Sequence, residues 1–316
     1  MQEDFPSHGW MNRCVVLTPC ASWELWVEAL ASAAEQAGLT LVVFHDDQQR
    51  PSGPGDNRIF VTSNARFISP GPSGLVAVIV VEPETAAQKT AIMTGAKGRD
   101  AVVDASRLLV EALLVPASCT VTDASLVAGG RRVELLPGVV VEAPPAAGLS
   151  ALSDLDIASA AAFGLYHGGL PVTGATCQWS HDLFLYDPRR REERVHIQEL
   201  DMTGGPRSLV HGPDMVLPFG EWEMTARFSM DQTGAVHGLR IEWGIGEDCA
   251  AFNVSPSRAG VFQVTIAHKL ESLGPVELRI KLTEGCMGGY FEFMGGSLRL
   301  LQASSGPQVL RSELID

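Results

Sequence analysis

The stretch Leu200–Met230, LDMTGGPRSLVHGPDMVLPFGEWEMTARFSM, limits the fold more than any other part of the chain. It reads as a turn, a short strand, a turn at His211-Gly212-Pro213, a second short strand, a turn at Pro218-Phe219-Gly220 and a longer strand. From Glu221 the residues alternate. Trp222, Met224, Ala226 and Phe228 fall on one side, and Glu221, Glu223, Thr225 and Arg227 on the other. A period of two marks a strand with one dry and one wet face. The alternation returns at Leu239, Ile241, Trp243, Ile245 against Arg240, Glu242, and at Phe262, Val264, Ile266 against Gln263, Thr265. It returns again at Val276, Leu278, Ile280, Leu282 against Glu277, Arg279, Lys281. Tyr290–Phe293 and Leu298–Leu301 read as a hairpin turning at Gly295-Gly296. Short strands split by Gly and Pro turns, with no helical period between them, predict an antiparallel, jelly-roll-like β-sandwich.

The turn residues carry a resemblance. The order D-x-T-G-x-P-R-x-L-V-x-G-P (from Asp201), L-P-x-G-x-W (from Leu217), A-G-x-F (from Ala259) and E-L-R-I (from Glu277) resembles an accessory sandwich of bacterial surface-polysaccharide biosynthesis proteins. That sandwich is similar to carbohydrate-binding modules. The match covers Leu200–Leu301, about a third of the chain, and it rests on glycines and prolines. It therefore implies a fold more directly than a ligand.

The first half has a different grain. Cys14–Thr18 and Leu39–His45 are apolar runs suited to buried strands, as are Arg58–Thr62 and Leu75–Val81. Between the first two, Ser22 is placed to cap a helix carrying Trp23, Trp26, Val27 and Leu30, which Gly38 closes. Thr85–Thr94 and Arg99–Leu114 read as further helices. Apolar strands alternating with helices predict a small, mostly parallel α/β domain, Rossmann-like or receiver-like. Ser125–Val141 reads as a hairpin at Gly129-Gly130, and Glu142–Leu149 as a linker ahead of a short helix, Ser153–Phe163. The expected division is an α/β domain over 1–142, linker and helix over 143–164, and sandwich over 165–316.

Composition narrows the function. A net charge of −14 disfavours nucleic acid and anionic membrane surfaces as partners. No apolar run reaches the ~18 residues a membrane span needs, and MQEDFPSHGWMNR lacks the pattern of a secretory leader. Either Met1 or Met11 could open the native chain. Six cysteines without a C-x-x-C pair, most within apolar strands, suit reduced thiols and a cytoplasmic location. The basic run Arg189-Arg190-Arg191 with Arg194 is interleaved with Glu192 and Glu193 and reads as a solvated loop.

Motifs for chemistry are sparse. There is no G-x-S-x-G, no H-E-x-x-H, and no glycine in the first strand-to-helix turn, TPCAS, where a nucleotide-binding loop would need one. We therefore expect no catalytic residues, no cofactor and no metal. His45-Asp46 and His181-Asp182 read as incidental neighbours. In an open α/β sheet ligands bind beyond the carboxyl ends of the strands, and here those ends offer Thr18, Asp46, Asp47, Ser63, Asn64 and Glu82. On the sandwich a sugar would need exposed rings flanked by polar groups. Trp222 and Trp243 share faces with apolar residues and are expected in the core. Trp179 and Tyr290, with Asp182, Arg240 and Glu242, are the better-placed candidates. The first reading is a non-catalytic protein of surface-polysaccharide synthesis that binds a glycan or a synthase component. An enzyme of glycosyltransferase-like or phosphate-handling type in the α/β crevice is the alternative, and a regulatory module that forms a homodimer is the third.

Overall fold

The structure is a computed structural model and describes residues 11–45, 57–68, 70–148, 152–187 and 199–304. It divides into two units, Met1–Asp156 with Tyr166–Leu170 and Ile157–Leu165 with Pro171–Asp316. Asp46, Asp47, the Pro51–Asp56 loop and the Arg189–Arg194 run lie outside the described residues.

The first unit is an α/β domain. Its strands are β1 (Met11–Leu17), β2 (Thr40–Val43), β3 (Arg58–Thr62), β4 (Pro70–Val80) and β5 (Cys119–Thr122). They form one sheet in the order β2-β3-β1-β4-β5 with every pair parallel. Strands covered on both faces need no polar side, which is why the 14–17 part of β1 and the 75–80 part of β4 read as unbroken apolar runs. Three helices accompany the sheet: α1 (Trp23–Gln36), α2 (Ala86–Thr94) and α3 (Arg99–Leu113). Trp23, Trp26, Leu30, Ala33 and Ala34 of α1 are buried with Val15, Leu17, Ile59, Val61, Ala77 and Ile79 of the sheet. Each large aliphatic side chain so buried stabilises by roughly 1.5–3 kcal/mol. Gly38, at φ +70°, ends α1 in a Schellman turn, with Gly38 N donating to Glu35 O and Leu39 N to Ala34 O.

One expectation for this unit needs correction, and its strand order is neither of the familiar ones. Neither common doubly wound order, 3-2-1-4-5 nor 2-1-3-4-5, is present among the described strands, because β3 and not β2 lies beside β1. The expected hairpin over Ser125–Val141 is instead a helix, α4 (Asp123–Gly129), followed by β6 (Arg132–Leu136) and β7 (Val139–Glu142), which turn at Pro137-Gly138. The Thr122 hydroxyl accepts from Ser125 N and Ser125 Oγ accepts from Thr122 N, a capping box that decides for helix. Of the expected linker, residues 142–148 are tied to this unit: Ala143 N donates to Arg131 O, and the Arg131 guanidinium donates to Ala143 O. The short helix expected at Ser153–Phe163 is α5 (Asp154–Phe163).

The second unit is a β-sandwich. One sheet has the order β10-β17-β12-β15, with β8 on the far end of β17: β8 (Thr176–Trp179), β10 (Glu199–Asp201), β12 (Gly220–Met230), β15 (Gly260–Leu270) and β17 (Tyr290–Ala303). The other has the order β14-β13-β16-β11-β9: β9 (Leu185–Tyr186), β11 (Arg207–Val216), β13 (Leu239–Ile245), β14 (Asp248–Val254) and β16 (Pro275–Leu282). All pairings are antiparallel. The alternation read from the sequence sorts the core: Trp222, Met224, Ala226, Phe228, Leu239, Ile241, Trp243, Leu278 and Ile280 are all fully buried. The two inner faces meet where the Trp179 and Trp243 rings pack edge-on, 5.6 Å between centroids.

Two expected turns are bulges. β11 runs unbroken through His211-Gly212-Pro213, with a register shift between Pro213 and Met215 and Asp214 at φ +66°. β17 runs unbroken through Gly295-Gly296, with a register shift against β12 between Ala226 and Phe228. A Cβ on Gly296 would sit 2.4 Å from Met224 Cε and 2.6 Å from Thr225 O, so close backbone approach, not chain reversal, requires glycine there.

Candidate functional site

The crevice at the strand ends of the α/β unit is built from residues that bond to one another. Thr18 is fully buried, and its hydroxyl donates to Ile79 O at 3.1 Å. Asn64 Oδ1 accepts from Arg66 N and caps the short 3-10 turn after β3, while Asn64 N donates to Thr62 Oγ1. Ser63 is buried at 6% exposure. Glu82 follows β4 in the left-handed region, φ 49° and ψ 46°, an unusual place for a residue with a long side chain. Its carboxylate accepts from Ser22 N at 3.1 Å and from Ala147 N at 3.0 Å. Its own N–H donates to the Asp123 carboxylate at 3.0 and 3.2 Å. Thr85 Oγ1 accepts from Ala21 N and donates to Glu82 O.

Ser22 stands at the N-cap position of α1, but the expected side-chain cap is not made: its hydroxyl bonds to no helix N–H. The head of a helix after the first strand is where a doubly wound fold would hold a phosphate, because free N–H groups and the helix dipole both favour an anion. In this chain the anion is the chain's own carboxylate, Glu82. A cleft of about 250 Å³ remains beside it, lined by Trp26, Val81, Glu82, Asp123, Leu126 and Arg131 among others.

Sequence reading missed one group, Glu84, Asp123 and His167. Their ligand-type atoms lie within 4.8 Å of one another, and their positions are too far apart in the chain for any motif to join them. His167 sits on the Tyr166–Leu170 segment that belongs to this unit. Its Nδ1 faces Asp123 Oδ2 at 3.0 Å and its Nε2 faces Glu84 Oε2 at 3.4 Å. Opposite nitrogens of one imidazole cannot meet a single ion, so His167 stands as a bridge between two carboxyl groups, and metal binding would have to give up one side of it. Burial pushes the Glu84 carboxyl above its ordinary range, and the nearby Asp123 and Glu82 charges add to the rise, against the pull of a backbone hydrogen bond and of His167.

The residues proposed from the sandwich sequence do not form one groove. Trp179 is 1% exposed and packs edge-on against Phe184 and Trp243, so the expectation that it stands free for stacking is overturned. Its polar neighbours in sequence hid an inward-facing position on β8. Asp182 is engaged locally: Ser180 Oγ donates to Asp182 Oδ2 at 2.9 Å, and His181 Nε2 lies 3.3 Å from Oδ1. Tyr290 is exposed at 48%, on β17 of the other sheet from Arg240 and Glu242.

Arg240 and Glu242 do come together, on the outward face of β13. The ladder places Arg240 opposite Lys281 and Asn253, and Glu242 opposite Arg279 and Ala251. One strand further on, Arg279 is opposite His211 and Lys281 is opposite Ser208. The Glu242 side chain is 9% exposed, an outward residue covered by its neighbours. Arg240 Nε and Lys281 Nζ each donate to it at 2.7 Å, and Arg279 lies at 3.6 Å. Burial raises the Glu242 carboxyl, but the hydrogen bonds from Lys281 and Arg240 outweigh it and hold the group below the ordinary carboxylate range. Beside it, Arg279 Nε donates to Glu277 at 2.7 Å, which together with a bond from Asp214 holds Glu277 low. Asp214 shifts the other way, raised first by burial and then by the Glu277 charge.

No family model matches the sequence, and no curated protein matches it. Among solved structures the chain is similar to TmCBM61 in complex with beta-1,4-galactotriose, at 13% identity, 32% of this chain, 68% of that one and a TM-score of 0.25. It is similar to the CBM36-1 domain of a multidomain xylanase from the hindgut metagenome of Trinervitermes trinervoides, at 15% identity, 31% of this chain, 74% of that one and a TM-score of 0.23. It is also similar to a Glycosylation Associate Protein (Gap123) complex from Streptococcus agalactiae, at 7% identity, 92% of this chain and a TM-score of 0.27, and spans 50% of that chain. At TM-scores this low these likenesses carry no argument.

Proposed function

We propose that this is a non-catalytic, cytoplasmic protein of bacterial surface-polysaccharide synthesis that binds a glycan, or a synthase component, through its sandwich. The observation that carries the reading is the outward face of β13 and β16, where Arg240, Glu242 and Lys281 hold one another in fixed positions. Pre-set polar groups on a rigid sheet lower the ordering cost of gripping a flexible oligosaccharide. The turn residues shared with the accessory sandwiches point the same way. The phosphate-handling alternative is weakened because Glu82 already takes the helix head that an anionic ligand would need. A glycan array probed with the full chain, alongside a pull-down with polysaccharide-synthase components, tests the proposal. Binding to either is expected, and silence from both overturns it.

A further inference from the structure

We infer that the β13–β16 face takes an acidic glycan, one whose sugars carry carboxylates; this rests on the glycan reading above. The ladder lines up four side chains across four strands: Asn253, Arg240, Lys281 and Ser208. Three strand spacings of ~4.8 Å make that row about 14 Å long, enough for a short oligosaccharide. Arg240 is 46% exposed and Lys281 38%, while the carboxylate that pins them is 9% exposed. Of these three charged groups, the two cations are therefore the ones a ligand meets.

Their donors are only partly used. Among the described residues Arg240 gives only its Nε, to Glu242, which leaves both terminal guanidinium nitrogens, and Lys281 gives one of its three N–H bonds. The third cation is different: Arg279 is spent on Glu277, on Gly246 O at 3.0 Å and on Glu242. A neutral sugar hydroxyl both donates and accepts, so two fully charged donors with their acceptor buried beneath satisfy half of it. A carboxylate only accepts, and it fits a guanidinium and an ammonium held side by side. The overall charge of −14 works against anions at long range. Beyond ~10 Å at 0.1 M salt that field is screened, and the contact pair decides.

Isothermal titration of the full chain with oligogalacturonides, neutral galacto-oligosaccharides, sulfated dextran and inorganic phosphate tests the inference. Oligogalacturonides should bind better than the neutral series, and more weakly as salt rises. R240A and K281A should each weaken that binding about tenfold, the loss of one charge-assisted contact. K269A, which removes an exposed cation on the other sheet, should leave it unchanged. Circular dichroism of each variant confirms that the sheet is intact. Equal binding of neutral and acidic sugars, untouched by R240A and K281A, overturns this inference while the glycan reading stands. Preference for sulfated dextran or free phosphate over oligogalacturonides also overturns it. No binding of any sugar removes both.

Discussion

Replacing Glu82 with alanine takes away the acceptor of two backbone N–H groups, Ser22 and Ala147, and leaves the residue in the left-handed region. A hydrogen bond to a charged group contributes about 1.5–3 kcal/mol. Two such bonds, discounted because Ala147 is half-exposed and water can replace its partner, give a loss of about 3 kcal/mol for Glu82→Ala. Glu82→Gly loses the same bonds but is free of the left-handed penalty of roughly 1–2 kcal/mol, so it should cost less. The order alanine worse than glycine separates backbone strain from lost bonding. Amide hydrogen exchange of peptides covering Ser22 and Ala147 reads the effect where it acts, and urea unfolding reads its total. An alanine variant within about 0.5 kcal/mol of the parent, with both amides still protected, would refute the idea that this carboxylate holds the head of α1.

The Asp214–Glu277 pair gives a pH dependence with a definite sign. Asp214 is raised in the fold, so the proton it holds stabilises fully below the unfolded value near pH ~3.9 and that contribution is lost as pH rises through the raised value. Asp214→Asn keeps a donor toward Glu277 and removes the charge, and it should be the more stable protein at pH 7, by less than ~1 kcal/mol at a site that is only partly buried. Its advantage should vanish by pH ~4 in urea titrations, and a variant less stable at pH 7 counts against a raised Asp214. Gly244→Ala should cost more than ~2 kcal/mol, because at φ +153° its Cβ would lie 2.2 Å from Asp248 O and 2.6 Å from Cys249 Cα, both backbone. An unfolding midpoint equal to the parent's would mean that β13 and β14 are not in this register.

Much of the fold could be read from residue patterns, and the failures share a cause. Alternation predicted the buried face of β12 residue by residue, since a half-buried strand writes its environment into every second position. Gly295-Gly296 and Gly212-Pro213 misled because glycine and proline report an unusual backbone, and a bulge inside a strand needs that as much as a reversal does. The short strands β5 and β14 carry too few buried residues to stand out, with partial exposure along most of β14. Trp179 was misplaced by polar neighbours that belong to the following 3-10 turn. Of the site, the sequence offered Arg240 and Glu242 as outward residues, but only the cross-strand register brings Lys281 and Asn253 beside them. The Glu84–Asp123–His167 bridge had no local trace, because its partners are joined by folding alone.

A helix head that carries its own counter-ion makes the α/β unit self-liganded. A small anion that bound only the folded form would raise stability by mass action, but at this position it must first expel Glu82 from two backbone amides. The expected consequence is that added phosphate or nucleotide raises the unfolding midpoint of this unit little.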